Sequence, residues 1–299
     1  MSHTSVLAEE VLEWLAPGPG KVIIDGTLGC AGHAALILER LGPDGRLIGF
    51  DRDPSAIEAS RKALEKYGDR AMILKSDFKN IPARLREAGI DGADGVLLDL
   101  GVSSPQLDEA VRGFSFRLDG PLDMRMDPSS PLTASEIVNR YPKKELEKIL
   151  YEYGEERYAR RIAEKIERER SKRRIERTVE LAAILLEAVP THYRHGRIHP
   201  ATRTFQALRI AVNAELDSIG EFLDAVPAWL KPGGRAVVIS FHSLEDRLVK
   251  RAFREMQKRG LGVVLTKKPV TASDAETAAN PRSRSAKLRA FERGKEGGR

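Results

Sequence analysis

The chain has 299 residues, of which 41% are hydrophobic and 31% charged, with a formal net charge of +6 and a single cysteine, Cys30. That length suits one large or two medium domains, one cysteine excludes an intrachain disulfide framework, and no apolar run approaches the roughly 20 residues of a membrane-spanning helix. The N-terminus has no basic start followed by a long apolar stretch, so a cytoplasmic protein with no membrane partner is expected, and the positive balance is compatible with a polyanionic one.

Leu7, Val11 and Leu15 share one face of an expected helix over Ser5 to Leu15, which Pro17-Gly18-Pro19-Gly20 stops. Val22 to Ile24 then reads as a buried strand. It ends on Asp25 and on glycines spaced Gly26-x-x-Gly29-x-x-Gly32, and Ala35, Leu36, Leu38 and Leu41 follow at helical spacing. Strand, glycine turn and helix open a nucleotide-type α/β domain. The spacing is not G-x-G-x-x-G, and no Lys or Arg lies between Val22 and His33. A turn without positive charge suits a cofactor that is itself cationic there, such as S-adenosyl-L-methionine with its sulfonium and ammonium; a purely structural βα turn is the alternative.

Strands are expected at Arg46 to Phe50, Ala71 to Leu74 and Gly95 to Leu98, with helices at Ser55 to Tyr67 and Ile81 to Ala88 between them. Strands alternating with helices imply a parallel sheet with right-handed crossovers. Each strand ends on or near an acid: Asp25, Asp51, Asp77, Asp99. Ligands of open α/β sheets bind at that carboxyl edge. Asp51 can accept from both hydroxyls of a ribose, and Asp77 with Phe78 can bracket an adenine. Any single acid can equally be a helix cap or a turn residue.

After Asp99 the pattern changes to a loop, Gly101 to Gln106, and to irregular, charged stretches at Arg112 to Phe116 and Asp119 to Asp127. Helices are expected at Ala134 to Asn139, Lys143 to Tyr151, Glu155 to Arg170 and Val179 to Ala188. Arg157, Arg160, Arg161, Lys165 and Arg168 give the third a positive face, continued by Lys172-Arg173-Arg174, which reads either as a phosphate-backbone contact or as a solvated surface. Helices at Ala201 to Leu216 and Ile219 to Leu230, a turn at Pro232-Gly233-Gly234 and a fifth strand at Arg235 to Phe241 resume the sheet pattern. The domain expectation is therefore a sheet domain of residues 1–105 and 206–299 with an inserted helical domain, 106–205. Leu261 to Leu265 and Ala286 to Phe291 can close the sheet as a hairpin around a mobile loop, Lys267 to Ser285, before a polar tail at Gly294 to Arg299.

Long motifs then accumulate: His3-Thr4-Ser5-Val6-Leu7, Asp25-Gly26-Thr27-Leu28-Gly29, Asp51-Arg52-Asp53-Pro54, Leu98 through Asp108, Arg112-Gly113-Phe114-Ser115-Phe116, Asp119 through Asp127, His199 through Gln206, Ser240 through Arg247 and Asn280 through Ser285. In this order they resemble the ribosomal RNA small subunit methyltransferase H family, whose bacterial members methylate the N4 amine of a decoding-centre cytosine. The resemblance implies a Rossmann-like S-adenosylmethionine-dependent methyltransferase sheet with an inserted α-helical domain that recognises RNA, and 16S rRNA within the small ribosomal subunit as partner. It places cofactor contacts on Ala31, Gly32, His33, Asp51, Phe78, Asp99 and Gln106, where the family usually has Gly in place of Ala31. The residues themselves add Asp25, Gly26, Gly29 and Asp77 to the candidate cofactor set.

A cytosine amine shares its lone pair with the ring, so the site must hold it in line and draw electron density toward nitrogen through acceptors. Amino-methyltransferases place an acid or amide, two prolines and an aromatic after the fourth strand. Ser103-Ser104-Pro105-Gln106 stands there without the second proline or the aromatic. Asp99, Ser103, Ser104 and Pro105 are the candidate catalytic residues. Methylation at cytosine C5 needs a Cys nucleophile, and the only Cys is in the cofactor turn. His242 stands at the mouth of strand five as a base or a loop-satisfying residue, and His195 and His199 with Arg194 and Arg197 can touch RNA. No metal-ligand cluster stands out. A nicotinamide dehydrogenase, a non-catalytic RNA-binding factor and a ribose 2′-O-methyltransferase are the rival readings, the last poorly served by Lys231 and Lys250. The oligomeric state, monomer or homodimer, is open.

Overall fold

The computed structural model describes residues 5–196 and 198–295. His3 and Thr4 of the first motif, Arg197 and the end of the polar tail lie outside the described residues. The chain divides into two compact units, one running to Gly101 and resuming at Leu216, the other spanning Val102–Glu215.

The first unit is built on seven strands: β1 Val22–Asp25, β2 Arg46–Asp51, β3 Ala71–Lys75, β4 Ala93–Asp99, β5 Leu230–Ser240, β6 Gly262–Val264 and β7 Lys287–Arg293. Their order is β3-β2-β1-β4-β5-β7-β6. β1 to β5 are parallel, and β7 enters antiparallel between β5 and β6. Such a mixed α/β sheet, with one antiparallel strand near its edge, is Rossmann-like. Successive side chains point to opposite faces of a strand. Ile23, Leu97 and Val237 accordingly pack with the helices Ala8–Leu15 and Gly32–Arg40. Ile24, Val96 and Val238 pack on the other face against Phe222, Val226 and Phe253. The chain runs outward one way from β1 to β3 and the other way from β4, so β1 and β4 form the switch point where open α/β sheets leave a crevice.

Two expectations for this unit are corrected. Pro232-Gly233-Gly234 is no free turn but the irregular start of β5, where the pairing with β4 shifts register between Ala93 and Gly95. Lys267 to Ser285 is not an unstructured loop. Val270 bridges Leu288, Ser273 caps a helix Asp274–Ala279, and a 3-10 turn Pro281–Ser285 buries Ser283. Capping chemistry inside a Pro-, Ala- and Ser-bearing stretch is easily mistaken for loop composition.

The second unit is helical, with helices at Ala134–Arg140, Lys143–Gly154, Ala159–Arg170, Thr178–Ala188 and Ala201–Asn213 around its own core of Leu146, Ile162, Leu185, Phe205 and Leu208. The expected helix from Glu155 begins instead at Ala159, because Glu155 adopts a left-handed conformation (φ 47) and breaks it from the helix before. The expected loop to Gln106 is in part a short helix, Ser104–Asp108, with a Ser103/Gln106 capping box. Among the described residues, no helix is long and apolar enough to cross a membrane.

Candidate active site

The carboxyl ends of β1, β2 and β4 collect three acids in the first unit. Asp25 is buried, and one carboxylate oxygen accepts from Thr27 N–H at 3.1 Å. Burial pushes its pKa up to about 7; the nearby His33 and the Thr27 bond oppose that rise, and the charges of Asp99 and Asp51 add to it. Asp51 accepts from Gly29 N–H and Asp53 N–H, each at 2.9 Å, and its pKa is also raised, by burial first. Asp51 therefore holds the turn as well as facing it.

The glycine turn follows from steric need. A Cβ on Gly26 would clash with Leu98 Cδ2 and stand 3.2 Å from Phe78 Cβ. Gly29 has φ +52, which glycine adopts at no steric cost. Ala31 takes a left-handed φ of 63 just before the helix Gly32–Arg40.

His33, on the first turn of that helix, is buried and points Nε2 at Asp99 Oδ2 across 3.6 Å, an ion-pair distance too long for a hydrogen bond. Burial lowers the imidazole pKa, but the Asp99 and Asp25 carboxylates outweigh it and leave the ring above its ordinary value, with Glu276 adding to the effect. Asp99 is anchored through its backbone, its N–H donating to Thr27 Oγ1 at 2.6 Å. Both ring nitrogens of His33 and Oδ1 of Asp99 are buried without a hydrogen-bond partner among the described residues. Buried polar atoms are nearly always bonded, so these mark where a polar ligand would complete the network. The surrounding acids suit one that carries positive charge.

The structure thus brings Asp25, Gly26, Gly29, Ala31, Gly32, His33, Asp51, Phe78 and Asp99 to one edge. Phe78 is buried and packs edge-on against Phe222 at 5.8 Å. The Asp77 carboxylate is already engaged by Lys79 N–H at 3.0 Å and by Arg52 at 3.4 Å, with Ser218 at 3.4 Å. Ser103, Ser104, Pro105 and Gln106 belong to the second unit. There Gln106 is buried and accepts from Ser103 N–H at 3.0 Å. Sequence reasoning missed Thr27, although it stands inside the glycine motif. It also missed Glu276, which accepts from Leu7 N–H at 2.8 Å and had no signal 269 residues away.

Other candidates have structural roles. His242 caps the helix Ser243–Lys258, with Nε2 3.1 Å from the buried Glu245 Oε1. His199 stacks on Phe116 with ring centroids 4.6 Å apart, and its Nδ1 accepts from Ala201 N–H. Along the helix Ala159–Arg170 the expected basic face is largely neutralised. Arg160 pairs with Glu164, Lys165 with Glu169 and Glu187, Arg168 and Lys172 with Glu169, and Arg170 donates to the Val138 carbonyl.

A sequence profile described as the MraW methylase family matches residues 1–294. The chain belongs to that family. It is 54% identical over 98% of its length, and 99% of the relative's, to a protein of Geobacter sulfurreducens named Ribosomal RNA small subunit methyltransferase H. A protein of the same name from Synechococcus elongatus is 53% identical over 97% of this chain and 94% of its own. Aeropyrum pernix fibrillarin, solved with bound S-adenosyl-L-methionine, is 11% identical over 94% of this chain and 74% of its own, with a TM-score of 0.41, too weak a likeness to add to the assignment. The chain is a methyltransferase, and S-adenosyl-L-methionine is its cofactor.

Proposed function

We propose that this chain methylates the exocyclic N4 amine of a cytosine in the decoding centre of bacterial 16S ribosomal RNA. The observation that carries the ribosomal reading is likeness above 50% along nearly the whole chain to small-subunit methyltransferases H from bacteria as different as Geobacter and Synechococcus. The first unit is then the catalytic domain and the second the RNA-recognition domain.

The acid-lined edge fits the cofactor. Asp25, His33 and Asp99 would hold its cationic methionine end, Asp51 would accept from the ribose hydroxyls, and Phe78 and Asp77 would hold the adenine. Gly26, Gly29, Ala31 and Gly32 would let the backbone come close. Bound S-adenosylmethionine supplies an electrophilic methyl whose leaving thioether is neutral, so no acid is needed to help it depart. The chain's task is to ready the amine. Asp99 Oδ1 would accept a hydrogen bond from the amine N–H, drawing density onto nitrogen, and would take the proton that the amine gives up. Ser103, Ser104 and Pro105, the other candidates for the amine, follow Asp99 by four to six residues in the chain, on a loop that the Ser103–Gln106 bond fixes.

Nitrogen as acceptor is supported by two features. Attack at C5 would need a thiolate, and Cys30 lies exposed in the cofactor turn, where partial desolvation and the Asp51 charge raise its pKa. A ribose 2′-O acceptor would call for a basic residue at the carboxyl edge. Lys231 instead pairs with Asp94 near the opposite, amino end of β4, at 3.2 Å.

The test is to incubate the protein with labelled S-adenosylmethionine and unmodified bacterial small subunits, with free 16S rRNA in parallel, and to identify the product nucleoside by mass spectrometry. N4-methylcytidine is the expected product. C5-methylcytidine, a 2′-O-methylated nucleoside or no methylated nucleoside would overturn the reading.

A further inference from the structure

Most cations of the second unit meet a carboxylate. Arg125 meets Asp123, Arg174 meets Glu136, Arg177 meets Asp119 and Arg209 meets Glu215, each within 2.9 Å. Arg157 differs. It is exposed, and no carboxylate of the described residues comes within ion-pair distance of it. Its guanidinium lies over two aromatic rings instead, 4.9 Å from the Tyr158 centroid and 4.8 Å from that of Tyr193.

Those rings are held in place. They meet edge to face at 4.9 Å with an interplanar angle of 70°. The Tyr193 hydroxyl donates to the buried Glu156 Oε2 at 2.8 Å, and Tyr158 N–H donates to Glu156 Oε1 at 2.8 Å. The Tyr158 hydroxyl lies 3.2 Å from His192 Nε2. Arg203 is also close: it donates to the Glu155 carbonyl at 2.7 Å, and its charge acts on the Tyr193 phenol. The local sequence agrees. Val189 to Ala214 contains no acid, and it carries four arginines and three of the chain's six histidines.

A guanidinium stacked on rings keeps its N–H edge free and pre-oriented, as a planar fork needs to be to grip a phosphate. Aromatic faces beside such a fork are the standard means of holding unpaired bases, which duplex RNA does not offer. We propose that Arg157, seated on Tyr158 and Tyr193 with His192 and Arg203 alongside, is a contact for a single-stranded RNA segment: Arg157 takes a backbone phosphate and the tyrosines an unstacked base. The proposal rests on the ribosomal reading above. It places the RNA contact on this cluster rather than on the neutralised face of Ala159–Arg170.

The test uses the full chain with a fluorescent 12-nucleotide single-stranded RNA and with unmodified small subunits. Arg157→Ala should weaken binding of the single strand about tenfold, lower the slope of log affinity against log salt by about 0.7, and raise KM for subunits. Arg157→Lys, which keeps charge but loses the fork, should recover only part of the affinity. Arg160→Ala, which only breaks an exposed pair with Glu164, should match the wild type. Unchanged melting temperature and unchanged S-adenosylmethionine Kd establish that Arg157→Ala is folded; Tyr193→Phe supplies a second route into the cluster. If wild type methylates subunits while Arg157→Ala binds the single strand and subunits as wild type does, the cluster is a structural cation–π knot and the proposal fails. If wild type methylates no ribosomal RNA, the ribosomal reading fails instead, while the binding arm still reports on the cluster.

Discussion

In the first unit, Asp25, His33 and Asp99 are gathered at a sheet edge where ring nitrogens and a carboxylate oxygen find no partner among the described residues. In the second unit, the irregular Asp119 to Asp127 stretch sits among polar groups that are bonded several times over. Arg125 donates to both Asp123 oxygens and to the Pro128 and Ser130 carbonyls. Asn213 ties this stretch to a helix by accepting from Met126 N–H and donating to the Met124 and Arg209 carbonyls. Unsatisfied buried polarity costs stability and is kept where a ligand uses it, whereas saturated polarity holds a shape that few apolar contacts would hold. Substitutions at the two places should therefore have opposite consequences.

The largest effect is expected at Asp99. Asp99→Ala should lower the single-turnover rate of methyl transfer by about 10³-fold, yet leave the melting temperature unchanged or slightly higher, because it removes a poorly bonded carboxylate. A large loss of stability would mean that Asp99 serves the fold. Asp25 comes next. Its pKa is raised in the fold to about 7 from an ordinary 3.8. The stability linked to its proton is therefore fully present below about pH 4 and lost as pH rises through 7. Asp25→Asn, which cannot ionise, should match wild type near pH 4 and exceed it by on the order of 3–4 kcal/mol at pH 8 in urea unfolding. A constant difference across that range would remove Asp25 as the titrating group.

The second unit should behave conversely. Asn213→Ala leaves a buried N–H and two carbonyls without their partner, and should cost about 2–3 kcal/mol in urea unfolding, with no change in affinity for S-adenosylmethionine. The smallest effect is expected at Ala31, where Ala31→Gly relieves a left-handed strain but loosens the unfolded chain. The two should cancel to within about 1 kcal/mol, measured as a shift in melting temperature.

The parallel strands and their acidic edge were legible because buried parallel strands are short apolar runs that end where ligands bind. Asp25, Asp51 and Asp99 could be found one strand at a time. What could not be read were contacts made across the chain: Glu276 on Leu7, Thr27 beneath Asp99, Arg52 on Asp77. The helix after Ser273 and the break at Glu155 were missed for a related reason, since a cap and a left-handed residue look like loop composition until neighbours hold them. The positive face of Ala159–Arg170 was legible as charge but not as function, because the glutamates that neutralise it lie partly on other helices. The aromatic seat of Arg157 needs two segments 35 residues apart.

The most direct measurement is calorimetric titration of S-adenosylmethionine at pH 8 into wild type and the Asp25→Asn, Asp99→Asn double variant. If the acid-lined edge seats the cationic cofactor, affinity falls at least a hundredfold while the unliganded melting temperature holds or rises. Equal affinity in the two proteins would contradict this placement of the site.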